Sequence, residues 1–157
     1  MRQPARGFTL IEMVVVMVVL GVLAALVSMR MPGDGINVSA QAEQLASDIR
    51  YTQSLSMSRG QRFRINFTAS NYQITDMSGV PQVHPGTGLT AAVALAPAVL
   101  SGYNPPLTNS YLAYDSLGVP YTDPTTALAA LATMTLTSGG ETITVRVAPQ
   151  TGRVQVP

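Results

Sequence analysis

The chain has 157 residues, 11% of them charged, with a formal net charge of +1. That length suits one modest domain plus accessory segments, and the near-neutral balance excludes a broad attraction to nucleic acid or anionic surfaces. There is no cysteine and no lysine, so disulfide frameworks, thiolate metal sites and cysteine catalysis are excluded. A low charge content with abundant Thr, Ser, Ala, Gly and Pro fits an exported β-rich domain better than a cytosolic enzyme.

Residues 1–7, Met-Arg-Gln-Pro-Ala-Arg-Gly, form a short basic leader. Removing them leaves seven arginines against eight acidic residues. From Phe8 onward the chain is apolar as far as Met29, apart from Thr9, Glu12 and Ser28. The uncharged stretch 13–29, at about 1.5 Å per residue, nearly spans a bilayer's hydrocarbon core. Residues 8–30 are therefore expected to form a transmembrane helix, with the leader on the cytoplasmic side and the remainder across the membrane. Three readings compete: a secretory signal peptide cut near Leu23-Ala24-Ala25, a plain signal anchor, or a helix in which Glu12 has a task. A carboxylate in such a stretch costs about 2.5–3.5 kcal/mol on insertion scales. A simple signal would gain by losing it. Gly21 and Ala25, one turn apart, make a small-residue stripe that either lets helices approach in lipid or arises by chance in an Ala/Gly-rich helix.

Met31-Pro32-Gly33-Asp34-Gly35 is expected to break the helix, making 31–38 a linker and 39–157 a globular domain. A second helix is expected over 39–58, with Ser39 as N-cap and Gly60 as its stop. Ala42, Leu45, Ala46, Ile49 and Gln53 lie at helical spacing, a weakly apolar face suited to lying on a sheet. Phe63, Ile65 and Phe67 alternate with Arg62, Arg64 and Asn66, and residues 71–75 alternate likewise after Thr-Ala-Ser, which reads as a hairpin. Residues 133–137 and 141–147 flank Ser138-Gly139-Gly140, a second hairpin, and 153–156 is a short last strand. Between the hairpins, 77–130 reads as long loops with one strand at Tyr111–Tyr114. Those loops are either a binding surface or filler. The fold class is α+β: an N-terminal transmembrane or stalk helix, then an amphipathic helix packed on a small antiparallel sheet.

Few residues carry chemistry. His84, the single histidine, stands in Val83-His84-Pro85-Gly86 and reads as an exposed loop residue, with no second histidine for a triad or metal site. Asp115 and Asp123 supply too few oxygens for calcium, and no phosphate loop is present. No metal and no cofactor are expected. Arg59, Arg62 and Arg64 form the one basic cluster. It reads either as a DNA-phosphate contact or as a solvated face paired with Asp48 and Glu43.

Two stretches carry a family resemblance. Gly7-Phe8-Thr9-Leu10-Ile11-Glu12, followed by the apolar run, resembles the type III signal of prepilins. Residues 42–56, the basic strand after Gly60, and the closing Ile143-Thr144-Val145 and Thr151-Gly152-Arg153-Val154 resemble the minor pilins and pseudopilins of the H-type pseudopilin and FimT-like group, features that MSHA minor pilins share. The resemblance implies cleavage between Gly7 and Phe8 by a prepilin peptidase, N-methylation of Phe8, and a filament-assembly role for Glu12. It implies a structural, non-enzymatic subunit of a type IV pilus or type II secretion pseudopilus. Its partners would be other pilins, the inner-membrane assembly platform and membrane lipid. A filament-borne DNA or surface receptor is the alternative. The chain lacks the cysteines that close the C-terminal region of some pilins.

Overall fold

The computed structural model describes residues 9–28, 34–104, 106–107 and 109–157, in two units that divide between Gly33 and Asp34.

The first unit is one helix, α1 (Leu10–Ser28). Thr9 starts it. Its Oγ1 accepts the Glu12 amide at 3.3 Å and its carbonyl accepts the amides of Glu12 and Met13 at 3.1 and 3.3 Å. Thr-x-x-Glu is the spacing of a capping box, and an acid in the first turn also faces the positive end of the helix dipole. The described large apolar side chains of α1 are exposed all round, from Leu10 to Leu23. Among the described residues, no helix is long and apolar enough to cross a membrane. The side chains described for α1, residues 10–24, cover about 22 Å at the helical rise, against about 30 Å of hydrocarbon.

The second unit opens with α2 (Asp34–Arg59). It begins five residues before the expected start, so Ser39 lies inside it and is not its cap, and 34–38 is helix where a linker was expected. Residues 31–33 of the expected break lie outside the described residues. The C-terminal end follows expectation: Gly60 has φ +62°, and the Gln61 amide reaches back to the Ser56 carbonyl at 3.3 Å, the long bond of a Schellman stop.

Nine strands follow among the described residues: β1 (Phe63–Phe67), β2 (Asn71–Asp76), β3 (Val93–Ala94), β4 (Val99–Asn104), β5 (Tyr111–Tyr114), β6 (Pro120–Tyr121), β7 (Ala132–Ser138), β8 (Glu141–Val147) and β9 (Val154–Gln155). They make two antiparallel sheets, β3-β2-β1-β5-β6 and β4-β7-β8-β9. The two expected hairpins are present, with Phe63 opposite Asp76 and Ser138 opposite Glu141. Gly139 and Gly140, at φ +58° and +89°, form the two-residue primed turn that matches strand twist. α2 packs on β1 and β5 of one sheet and on β7, β8 and β9 of the other, so the helix bridges the two.

The core lies under α2. Val38, Ala42, Leu45, Ala46 and Ile49 are fully buried against Phe63, Ile65, Leu112, Tyr114, Met134, Leu136 and Val145. Their small mean size, Ala at two of five helix positions, lets the sheets approach the helix axis. The segment 77–130 differs most from expectation. It supplies β3, β4 and β6 as well as β5, and Leu95, Ala98, Leu100 and Leu128 enter the core. β4 is interrupted by a bulge between Leu100 and Gly102. Alternation there is broken by Gly and Ser, which conceals the strand from period-two reading.

Candidate functional site

Gly7 and Phe8 lie outside the described residues, as does the Ala25 side chain. Of the N-terminal signal, Thr9 and Glu12 are described. Glu12 is exposed in the first turn of α1. An added Cβ at Gly21 would meet nothing within 4 Å among the described residues.

His84 is not the exposed loop residue expected. It is 4% exposed, and its Nε2 lies 2.7 Å from Asp48 Oδ2. The Tyr72 hydroxyl donates to the same carboxylate oxygen. On the other side of the ring, Nδ1 accepts the amides of Gly86 and Thr87 at 3.1 and 3.2 Å. Since Nδ1 receives two donors, its lone pair is free and the ring carries its hydrogen on Nε2, pointed at Asp48. Burial, and then the Asp48 carboxylate, push the Tyr72 phenol well above its ordinary range. The cluster ties α2, β2 and the 77–92 loop together. Sequence reading missed it, although Asp48 gave a signal: a carboxylate between Leu45 and Ile49 and Thr52 on the buried face must have partners.

The three arginines of the basic cluster are engaged with neutral groups. Arg59 Nη1 donates to Gln82 Oε1 at 3.0 Å, Arg62 Nη1 to the Pro124 carbonyl at 2.6 Å, and Arg64 Nε to Thr75 Oγ1 at 3.2 Å. Each guanidinium also lies over a ring: Arg59 over Phe63, Arg62 over Tyr121 at 4.0 Å, and Arg64 over Tyr111. The expected pairing with Asp48 is not made, because that carboxylate faces inward onto Tyr72 and His84. Arg62 and Arg64 are struts on the side of β1 opposite Phe63 and Ile65, and Arg59, at the end of α2, lies over Phe63.

Asp115 and Asp123 do not converge on an ion. Asp115 Oδ1 accepts the amides of Leu117 and Val119, both at 2.9 Å. Asp123 Oδ1 accepts those of Thr125 and Thr126 at 2.7 and 2.6 Å. Each closes its own turn. The amide bonds hold the Asp123 carboxyl at about 2, below its ordinary 3.8. A depressed value means that the charged form is favoured in the fold. The contribution is therefore complete above about pH 4 and disappears as pH falls toward about 2. A carboxyl-carbon NMR titration will give an Asp123 midpoint near 2, with the Thr125 and Thr126 amide shifts moving in step. A midpoint at the ordinary value, or amide shifts that do not follow it, would contradict the turn as described.

A second knot fastens the C-terminus. Gln53 Nε2 donates to the carbonyls of Gly118 and Thr151, both at 2.8 Å. Arg50 Nη2 donates to the Val154 carbonyl at 3.1 Å. One helical turn of α2 thus holds the β5–β6 turn and the β8–β9 turn. This does by hydrogen bonds what a disulfide does in other domains of this size.

An apolar, uncovered N-terminal helix with an acid in its first turn, followed by an α+β head pinned to a second helix, can now be set beside known proteins. Residues 2–28 match the prokaryotic N-terminal methylation motif. Residues 41–151, more than half of the chain, match the family described as type II transport protein GspH. The chain belongs to the GspH family. Among solved structures, the type IV minor pilin FimU of Pseudomonas aeruginosa, in two crystal forms, is similar at 16% identity, with TM-scores of 0.52 and 0.53. The likeness covers 76% of this chain and 91% and 87% of those chains. At that identity it speaks for the pilin-like fold alone. No curated protein matches the chain. This GspH-family chain joins an N-terminal methylation motif to a pilin-like fold, and pilin-like proteins are prepilin-peptidase substrates that assemble with other pilins or pseudopilins.

Proposed function

We propose that the chain is a precursor cut between Gly7 and Phe8, N-methylated on Phe8, and assembled through α1 and Glu12 into a type IV pilus or type II secretion pseudopilus. The observation that carries this reading is α1 itself: a helix with apolar side chains exposed on every side, whose capped first turn presents one carboxylate. A rod of that kind is at home only in lipid or among like helices. Before assembly it anchors the protein once in the bacterial inner membrane. The head lies on the periplasmic side, and the assembly platform and membrane lipid are its neighbours. Within the filament, helix packing replaces lipid, and Gly21 and Ala25 give neighbouring helices room to close.

The protein is a structural subunit and not an enzyme. Among the described residues, the buried Asp48–His84 pair bonds the Tyr72 hydroxyl on one side and the Gly86 and Thr87 amides on the other, an arrangement that braces the loop. The receptor alternative is not favoured: each of the three guanidiniums already donates to a neutral group of the head and lies over a ring. Mass spectrometry of the mature N-terminus, on membrane fractions, tests the proposal. N-methylphenylalanine at position 8 is the expected result. A start near Ala25 or Leu26 would mean a released periplasmic protein and would sink the filament reading.

A further inference from the structure

The arginines of the head fall into two sets. Arg50, Arg59, Arg62 and Arg64 each donate to a neutral group of the head. Arg146 on β8 and Arg153 just before β9 do not: among the described residues, neither guanidinium has a hydrogen bond, an ion pair or a ring contact. The side chains of this sheet that face the core are Met134, Leu136, Val145, Val147 and Val154. Strand alternation turns Thr133, Thr135 and Thr137 of β7, and Thr142, Thr144 and Arg146 of β8, to the opposite face. The register sets Thr133 beside Arg146, Thr135 beside Thr144 and Thr137 beside Thr142. Gln155 stands opposite Arg146, and the Ala148 amide donates to the Arg153 carbonyl at 2.9 Å. Arg153 therefore continues the β9 ladder and stands diagonally from Arg146, at about 7–8 Å between backbones, within reach of long side chains. All of these side chains are half-buried or exposed. Glu141 alternates onto the core side, as does Tyr103, which pairs with Met134. Among the described residues, the strands thus place neither an acid nor an aromatic ring on this face.

We propose that this face binds an acidic polysaccharide, with Arg146 and Arg153 taking carboxylates of the polymer and the threonine rows taking its hydroxyls. A guanidinium without a partner offers a planar fork of donors that matches a carboxylate. The hydroxyl grid is partly satisfied within the sheet. Thr137 Oγ1 lies 2.9 Å from Ser101 Oγ and 3.4 Å from Thr142 Oγ1, and Thr133 Oγ1 donates to the Asn104 carbonyl at 3.2 Å. At its centre Thr135 and Thr144 have no hydrogen-bond partner for Oγ1 among the described residues. Each hydroxyl both donates and accepts, which is what a sugar hydroxyl needs. The grid repeats at about 4.8 Å across strands and about 6.8 Å along them, so it suits a chain that repeats its own hydroxyls. A nucleic-acid strand is held by stacking on aromatic rings and by a broad basic surface, and this face has two charges and no ring. The near-neutral net charge gives no pull from a distance, so recognition is local, and repeated units of the polymer add avidity. The inference rests on the head alone and does not depend on how the chain assembles.

Binding of the full-length protein, in a neutral detergent, to immobilised polygalacturonate tests it, with dextran and DNA as the comparison polymers. The expected result is binding to polygalacturonate, none to dextran and weaker binding to DNA. Arg146→Gln and Arg153→Gln will each weaken binding to polygalacturonate by about tenfold, the worth of one charge-assisted hydrogen bond. Thr135→Val combined with Thr144→Val keeps the shape and the charge, and will weaken it by about fivefold. Arg59→Gln removes the same charge from another part of the head and will bind as the wild type does. Failure to bind polygalacturonate would overturn the proposal. An equal loss in Arg59→Gln would overturn it too, since net charge alone would then explain the attraction. DNA bound as tightly as polygalacturonate would make the face a nucleic-acid contact instead. Circular dichroism checks that each variant folds; should one fail, the wild-type comparison of the three polymers still decides.

Discussion

Gly152→Ala will destabilise the head by about 3–5 kcal/mol, among the largest effects available to a single methyl group. Gly152 sits at φ +63°, a conformation that costs an L-residue about 1–2 kcal/mol. The new Cβ would also stand 2.6 Å from Gln53 Nε2, 2.6 Å from Tyr114 Cε1 and 2.8 Å from the Gly118 carbonyl oxygen. None of these yields easily. Tyr114 is fully buried, Gly118 O is backbone, and Gln53 is held by its two hydrogen bonds. The methyl therefore separates α2 from both turns it fastens. In thermal unfolding of the full-length protein the midpoint will fall by about 10 °C or more. Gly60→Ala is the control. Gly60 has nearly the same φ, +62°, but an added Cβ meets nothing within 4 Å. That variant will lose only about 1–2 kcal/mol of stability, to backbone strain. Equal losses at the two positions would mean that the close approach at Gly152 has no weight.

Glu12→Ala will leave cleavage after Gly7 intact and reduce incorporation into filaments by at least about a hundredfold. In the proposed filament the carboxylate is the partner of the new Phe8 amine on a neighbouring helix, in surroundings with little water. Removing one member of such a pair strands the other charge at about 3–5 kcal/mol, and each 1.4 kcal/mol is a factor of about ten. The pair sets axial register more than it adds net stability, so Glu12→Gln will also assemble poorly although it keeps the shape. Thr9→Val separates this role from helix capping. It removes the hydroxyl that caps α1, worth about 1 kcal/mol, while the carboxylate stays, and its filaments will form. Immunoblots of sheared filaments against membrane fractions read all three variants. Wild-type incorporation of Glu12→Ala would end the proposed role of Glu12.

The features legible in the sequence were those set by short-range rules. The leader, the apolar run and Glu12 are contiguous, and their meaning does not depend on distant residues. The buried face of α2 followed from helical spacing: Ala42, Leu45, Ala46 and Ile49 are all fully buried. Both hairpins followed from period-two alternation and from the glycines of the second turn. The stop at Gly60 followed from glycine's tolerance of positive φ. What escaped were elements whose stability comes from partners far along the chain. β4 has little alternation of its own and exists because β7 pairs with it. α2 continues back through Gly35 to Asp34, against local propensity.

The site divides in the same way. Thr9 as the cap of α1 is readable from Thr-x-x-Glu, the spacing of a capping box. The Tyr72–Asp48–His84 cluster joins residues 24 and 36 positions apart, and nothing in Val83-His84-Pro85-Gly86 discloses that its histidine is buried. The arginines were identified by charge, yet only their neighbours in the fold, Gln82, Thr75, Pro124 and three aromatic rings, determined that they serve as struts. The amino-acid sequence alone thus determined the family of the protein and carried its N-terminal motif, because such a motif is linear. The tertiary structure decided which polar groups are buried and with whom, because burying a charge is tolerable only where the fold brings it a partner.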